Sequence, residues 1–201
     1  EYERTGDTDL RDKALSVLDS WDREAFLPNG LMLVKLRAPM NRLDSVINGD
    51  IPVDIDTCNL GTAATYFFKA AKICSRLGID RPSYEKRALG LCDFALKVQK
   101  KNGELAKSYF MDGSVNAPHG SVGCFLVLPL FDAFEFTGDR RYLEAALRGM
   151  DFYLGEFMRT GSTTAGALDS NCIDKESAAP VIRGALRAYD ITGDKKYLDM
   201  A

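Results

Sequence analysis

The chain has one histidine and one tryptophan among its 201 residues. A single histidine excludes a His-rich metal centre. The five cysteines contain no CxxC pair, so a zinc site has no ligand cluster to draw on. No Lys/Arg run is long enough to form a basic stripe, and the formal net charge is -3, which argues against an electrostatic nucleic-acid binder. Long apolar runs are also missing. The apolar stretch that runs through Cys124 to Leu130 and ends before Asp132 falls well short of the roughly 20 residues that a bilayer span needs. Gly113, Gly120 and Gly123 lack phosphate-loop spacing, so no nucleotide site is supported and no cofactor is implied. The chain opens Glu-Tyr-Glu-Arg, with neither Met nor an apolar leader. A removed leader and a start inside a longer protein both fit that opening.

The cysteines, Cys58, Cys74, Cys92, Cys124 and Cys172, are odd in number and scattered through apolar stretches. They are expected to be free, mostly buried thiols acting as small hydrophobes. Such usage favours a reducing compartment, and so the cytoplasm, although a periplasmic location stays open.

What the chain does have is a repeat. Thr5-Gly6-Asp7, Thr137-Gly138-Asp139 and Thr192-Gly193-Asp194 are the same tripeptide, and Leu77-Gly78-Ile79-Asp80 is a looser copy. After three of these comes an Ala-Leu pair with an Asp five residues past the Ala: Ala14 with Asp19, Ala88 with Asp93, and Ala146 with Asp151. Self-similarity at this period signals stacked helical units. The stretches before each glycine (61–77, 122–136 and 178–191) are apolar on most sides and read as inner helices. Those after it (10–21, 84–98 and 141–157) are amphipathic and read as outer helices.

Gly6, Gly78, Gly138 and Gly193 fall where a helix end needs positive φ. Asp7, Asp139 and Asp194 follow where a carboxylate caps the next helix. In the second unit Ser83, after Pro82, is expected to cap. These turns are therefore folding chemistry, and Asp19, Asp93 and Asp151, midway along outer helices, are expected to be structural.

The opposite ends of the hairpins are less uniform. Asn29-Gly30 and Asn102-Gly103 each open a polar segment that leads toward the next inner helix as a short extended piece. The connection from Leu27 to Thr57 is long, and its apolar content points to an ordered, functional segment.

An apolar helix, Thr-Gly-Asp, Tyr-Leu and an Ala-bearing amphipathic helix together resemble the (α/α)6 toroid, or six-hairpin glycosidase-like, superfamily. The resemblance is carried by residues 136–146, Phe-Thr-Gly-Asp-Arg-Arg-Tyr-Leu-Glu-Ala-Ala, and by residues 191–198, Ile-Thr-Gly-Asp-Lys-Lys-Tyr-Leu. It implies an all-α fold in which inner helices line a barrel and outer helices surround it. Substrate would enter where outer helices hand over to inner ones. Members include glycoside hydrolases, sugar epimerases and polysaccharide lyases, and the hydrolases commonly use Asp or Glu at that mouth. This chain holds about three and a half units. At roughly 55–60 residues each, a closed ring needs about 330–360 residues. The chain is thus expected to be a single domain, residues 1–201, that is a fragment or open arc of such a ring. Its exposed edges would call for the remainder of the toroid or a second copy.

The mouth candidates follow from position. They are Asp54, Asp56, Thr57 and Asn59 before the first inner helix, and Asp112, Asn116, His119 and Ser121 before the second. Before the third stand Asp169, Asn171, Asp174, Lys175 and Glu176. His119 and Asp174 each lie 19 residues before their repeat glycine. Glycoside hydrolysis needs two carboxyl groups facing one bond, so Asp56 with Asp174 or Glu176 is the expected acid/base pair. Asp54, Asn171, Lys175 and His119 would hold substrate, and Tyr109 would offer a stacking ring. The same carboxylates also fit a plain capping role. The expected function is therefore a carbohydrate-active protein, a glycoside hydrolase acting on oligosaccharides. The alternatives are an isomerase or lyase that moves a proton through His119, and a non-catalytic helical module.

Overall fold

The computed structural model describes residues 2–34, 55–164, 173 and 175–201. A short helix, α1 (Tyr2–Thr5), precedes one long outer helix and then three helix pairs, the last of which ends in a five-residue helix. The first outer helix is α2 (Thr8–Glu24). It is followed by α3 (Thr57–Leu77) and α4 (Pro82–Val98), then by α5 (Cys124–Thr137) and α6 (Arg140–Thr160). The last pair is α7 (Ala178–Thr192) and α8 (Lys195–Asp199). The inner helices α3, α5 and α7 pack side by side with α5 in the middle. The outer helices α2, α4 and α6 form a second row behind them. Two concentric rows of helices joined as hairpins are the architecture that the repeat implies.

The turns behave as their chemistry requires. Gly78, Gly138 and Gly193 end α3, α5 and α7 in the left-handed region, at φ 68°, 71° and 69°. Asp7, Asp139 and Asp194 then cap α2, α6 and α8 by accepting N–H groups of the first turn at 2.9–3.0 Å. The second unit differs from expectation. Arg81, not Ser83, is the residue before α4, and no side chain caps that helix. Pro82 opens it instead, because proline has no N–H to satisfy and its fixed φ already suits the first helical position.

The mid-helix aspartates form a repeated staple between outer helices. The Tyr84 hydroxyl on α4 donates to Asp19 on α2 at 2.7 Å, and Tyr142 on α6 donates to Asp93 on α4 at 2.6 Å. Tyr197 on α8 lies by Asp151 on α6 at the equivalent place, where Lys196 also pairs with that carboxylate at 3.0 Å. Burial, with the adjacent carboxylate, raises all three phenols above their ordinary range. A tyrosine in the first turns of each outer helix thus meets the Asp landmark of the preceding unit, Tyr142 and Tyr197 from a Tyr-Leu pair and Tyr84 without one.

The tightest inner contact joins α3 to α5. Pro129 has no N–H to offer the Phe125 carbonyl one turn earlier. Gly61 of α3 packs against that same carbonyl, so closely that a methyl group at Gly61 would overlap it. Helix α5 is buried on most sides among Leu60, Phe67, Phe68, Leu91 and Leu154. The free thiols of Cys74, Cys92 and Cys124 are buried, as expected, and that of Cys58 is only partly so. Cys172 lies outside the described residues. Among those residues, no helix is long and apolar enough to cross a membrane.

A small antiparallel sheet, not anticipated in an all-α reading, ties the mouth together. It comprises β1 (Ile55–Asp56), β2 (Ser108–Tyr109) and β3 (Val115–Ala117). Ile55 faces Tyr109, and Asp56 faces Ser108. The extended pieces after the Asn-Gly turns therefore become real pairings. Phe26 and Met32 bridge across the turn at Gly30, and β2 follows the turn at Gly103.

Candidate functional site

The hairpin ends opposite the Gly-Asp turns converge on the concave face of the inner row. There a cavity of about 340 Å³ is lined by α3, α5 and the start of α7. Its rim holds Cys58 and Glu176, and Tyr66, Lys69 and Arg183 lie deeper along the helices. Local rules place each of these groups. Strand β1 delivers Asp56 to the N-terminus of α3, where it is buried. One Asp56 oxygen accepts the Asn59 backbone N–H at 2.7 Å, and the other accepts the Asn59 side-chain amide at 2.6 Å. Thr57 anchors the same turn to the second unit by donating from both its backbone N–H and its hydroxyl to the Lys107 carbonyl at 3.0 Å.

Asp56 and Glu176 come from different hairpins yet act on one group. The Cys58 thiol is pushed up to about 11, first by burial and then by the negative charges of Asp56 and Glu176. A thiol so held stays protonated at neutral pH, so Cys58 is no ready nucleophile. Both carboxylates therefore lie near Cys58: Glu176 lines the cavity, whereas Asp56 is buried and is not among its lining residues.

His119 goes elsewhere. It borders a second cavity, of about 420 Å³, between the mouth loops and the last turns of α6. That cavity shares no lining residue with the first. The His119 Nδ1 lies 2.7 Å from Glu104 Oε1, and Lys100 donates to Glu104 Oε2 at 2.8 Å. Burial alone would raise the Glu104 carboxyl. The hydrogen bonds from Lys100 and His119 outweigh it and hold the group below its ordinary value. Opposite stand Glu156 and Arg159, paired with each other.

Several expectations are corrected by position. Tyr109 is fully buried: its hydroxyl accepts the Ala106 N–H at 3.1 Å, and its ring packs edge-on against Phe94. It has no open face for a sugar, because β2 turns it into the core. Asp112 folds back on Ser114 at the tip of the β2–β3 hairpin, with both the N–H and the hydroxyl of Ser114 donating to it. Ser121 is locked to Thr164, whose N–H donates to its hydroxyl at 2.6 Å. Lys175 is exposed beside Glu176. Asp54, Asp169, Asn171 and Asp174 lie outside the described residues. Sequence reasoning missed Glu104, which orients His119, and Tyr66, Lys69 and Arg183, which sit on the lumen wall. The last two carried a usable signal: cationic side chains on otherwise apolar helices, Lys69 nine residues before Gly78 and Arg183 ten before Gly193. Among the described residues no group of three or more potential metal ligands gathers.

No protein-family model matches the chain, and no curated protein sequence does. Two solved structures resemble it in fold. One is unsaturated glucuronyl hydrolase, as an Asp-to-Asn variant with dGlcA-Glc-Rha-Glc. It superposes with a TM-score of 0.69 at 14% identity, covering 99% of this chain and 55% of that one. The fold is the glycosidase-like α/α toroid. The second, a GH76 α-mannanase of Bacteroides thetaiotaomicron, agrees at a TM-score of 0.56 and 22% identity, covering 76% of this chain and 43% of that one. The chain therefore spans about half the length of each toroid it matches.

Proposed function

We propose that this chain belongs to a carbohydrate-active enzyme, a glycoside hydrolase that cleaves oligosaccharides at the mouth of the toroid lumen. The observation that supports the reading is that Asp56 and Glu176, from two different hairpins, both lie near enough to Cys58 to act on its thiol, with Glu176 on the cavity rim. Hydrolysis of a glycosidic bond asks for such a pair. One carboxyl group gives its proton to the leaving oxygen. The other, as carboxylate, takes a proton from the attacking water or bonds the anomeric carbon directly. Glu176, on the exposed turn before α7, is the better placed to reach a substrate. Asp56, tied down by Asn59, holds negative charge at a fixed point beside it. Asp174, two residues before Glu176 in the sequence, is proposed as a further acid, with Asp54, Asn171 and Lys175 contacting substrate. Both toroids of similar shape are named for sugar substrates, dGlcA-Glc-Rha-Glc in one case and mannan in the other, which supports this class.

The Glu104–His119 pair sustains a second reading, a sugar epimerase or lyase. In that reading the imidazole, oriented through Nδ1, moves the proton from its own cavity. The two readings separate in one experiment. The protein is incubated with aryl glycosides, uronide oligosaccharides and manno-oligosaccharides, and new reducing ends are measured beside unsaturated and epimerised products. Hydrolysis predicts reducing ends without unsaturation, abolished by Glu176→Gln and retained by His119→Asn. Unsaturated or epimerised product, lost in His119→Asn and kept in Glu176→Gln, would replace the hydrolase with the second reading.

A further inference from the structure

The lumen wall carries two tiers of cations, and they are compensated differently. In the lower tier Lys72, Asp132 and Arg187 stand six residues before Gly78, Gly138 and Gly193. They therefore occupy the same level of three adjacent helices. The acid lies on the middle helix and pairs with its neighbour: Arg187 reaches Asp132 at 3.2 Å and Glu135 at 2.7 Å. Lys72 reaches Glu135 at 3.4 Å. Cation, acid and cation form one network across the three helices.

About one turn closer to the mouth the pattern recurs without the acid. Lys69 and Arg183 stand nine and ten residues before Gly78 and Gly193, and the middle position, ten before Gly138, is Leu128. All three line the 340 Å³ cavity. Neither cation forms an ion pair among the described residues, and the lysine ammonium rests over the Tyr66 ring, 5.1 Å from its centroid. That ring is 58% exposed. Unpaired cations on a convex surface need no account, since water solvates them. Two from separate helices on one concave wall repel each other, and the low-dielectric walls focus their field into the cavity. The lower tier shows how this fold neutralises such a pair, with an anion between them. In the upper tier Leu128 leaves that place to a ligand.

We propose that the upper tier is an anion subsite that takes the carboxylate or sulfate group of an acidic sugar, held by Lys69 and Arg183, with Tyr66 against the ring. This rests on the reading of the lumen as a sugar site, and it adds the class of sugar. A guanidinium presents paired donors to a carboxylate or sulfate, and the ammonium supplies a point charge. The apolar Phe125 and Leu128 leave no competing acceptor on the middle helix.

The test is calorimetric titration of the wild-type chain with trigalacturonate, with mannotriose and with a sulfated galactotriose, at low and high salt. The acidic sugars should bind at least tenfold more tightly than mannotriose. That preference should shrink with salt, and it should vanish in Lys69→Gln/Arg183→Gln with the helical circular dichroism unchanged. Lys72→Gln, in the compensated tier, should keep the preference. Binding of sulfated galactotriose alone identifies sulfate as the group, and binding of trigalacturonate identifies carboxylate. Equal affinity for mannotriose, or a preference that survives the double substitution, overturns the anion subsite while leaving the lumen a sugar site. No binding of any of the three overturns both.

Discussion

The two ends of each hairpin obey different rules. At the Gly-Asp end every unit repeats one solution: a left-handed glycine closes the inner helix, and in three of the four units an aspartate caps the next outer helix. At the mouth no two units agree. The first offers Asp56 capping α3 from a strand, the second a hairpin leading to His119 and its Glu104, and the third Glu176 on an exposed turn. Repetition marks what the fold needs of every unit. Divergence at one end of an otherwise regular array marks where the units differ in task, and here that end surrounds the lumen cavity.

Substitutions sharpen this contrast. The largest effect is expected at Gly61, in the mouth half of α3, where an added methyl would overlap the Phe125 carbonyl. Gly61→Ala should cost about 3 kcal/mol, read as a lowered midpoint in urea, because two helix backbones must separate. Next come the staples between outer helices. Tyr142→Phe removes the 2.6 Å bond to Asp93 and should cost about 1.5 kcal/mol, with Tyr84→Phe similar, since both hydroxyls donate to carboxylates. At the Gly-Asp end, a methyl at Gly138 meets no neighbour within 4 Å. Gly138→Ala therefore pays only for its positive φ, about 1 kcal/mol. A Gly138→Ala that proved more damaging than Gly61→Ala would reverse the comparison.

The smallest effect is a pH dependence at the mouth. The Glu104 carboxyl is held below its ordinary value in the folded chain. Its contribution is present above the unfolded value near 4.5 and fades as pH falls through the lower folded value. Urea unfolding at pH 6 and at pH 3.5 should show a stability loss on the acid side that Glu104→Gln reduces.

Much of the scaffold was legible because it depends on local chemistry. Glycine at a helix end and aspartate after it need no tertiary information, so the hairpins, their order and three of the four caps could be read directly. The exception, Arg81 before Pro82, arose because a missing N–H removes the need for the Ser83 cap. The aspartates of the outer-helix staple were visible as landmarks, as were Tyr142 and Tyr197 in their Tyr-Leu pairs, but Tyr84 was not, and only stacking of consecutive units joins the two halves. The site was less legible for the same reason. Glu176 follows from its place before α7, whereas Tyr109 is buried by a two-residue strand too short to leave a periodic pattern. His119 and Glu176 both precede an inner helix, 19 and 17 residues before its closing glycine, yet they open on separate cavities. Mouth loops set that divergence, and the repeat does not encode it. Lys69 and Arg183 emerge once residues are counted back from the glycines, because that register equates levels on neighbouring helices.

The central claim is that chemistry resides at the lumen mouth and the Gly-Asp turns are scaffold. It is tested most directly by kcat/KM for Glu176→Gln and Asp139→Asn on whichever oligosaccharide the wild type cleaves fastest, with thermal midpoints measured alongside. Glu176→Gln should lose about 100-fold or more with its midpoint unchanged, as expected for removal of an acid/base group. Asp139→Asn should keep wild-type turnover. A Glu176→Gln enzyme with full activity, or an Asp139→Asn enzyme that folds normally but no longer turns over, would contradict the account.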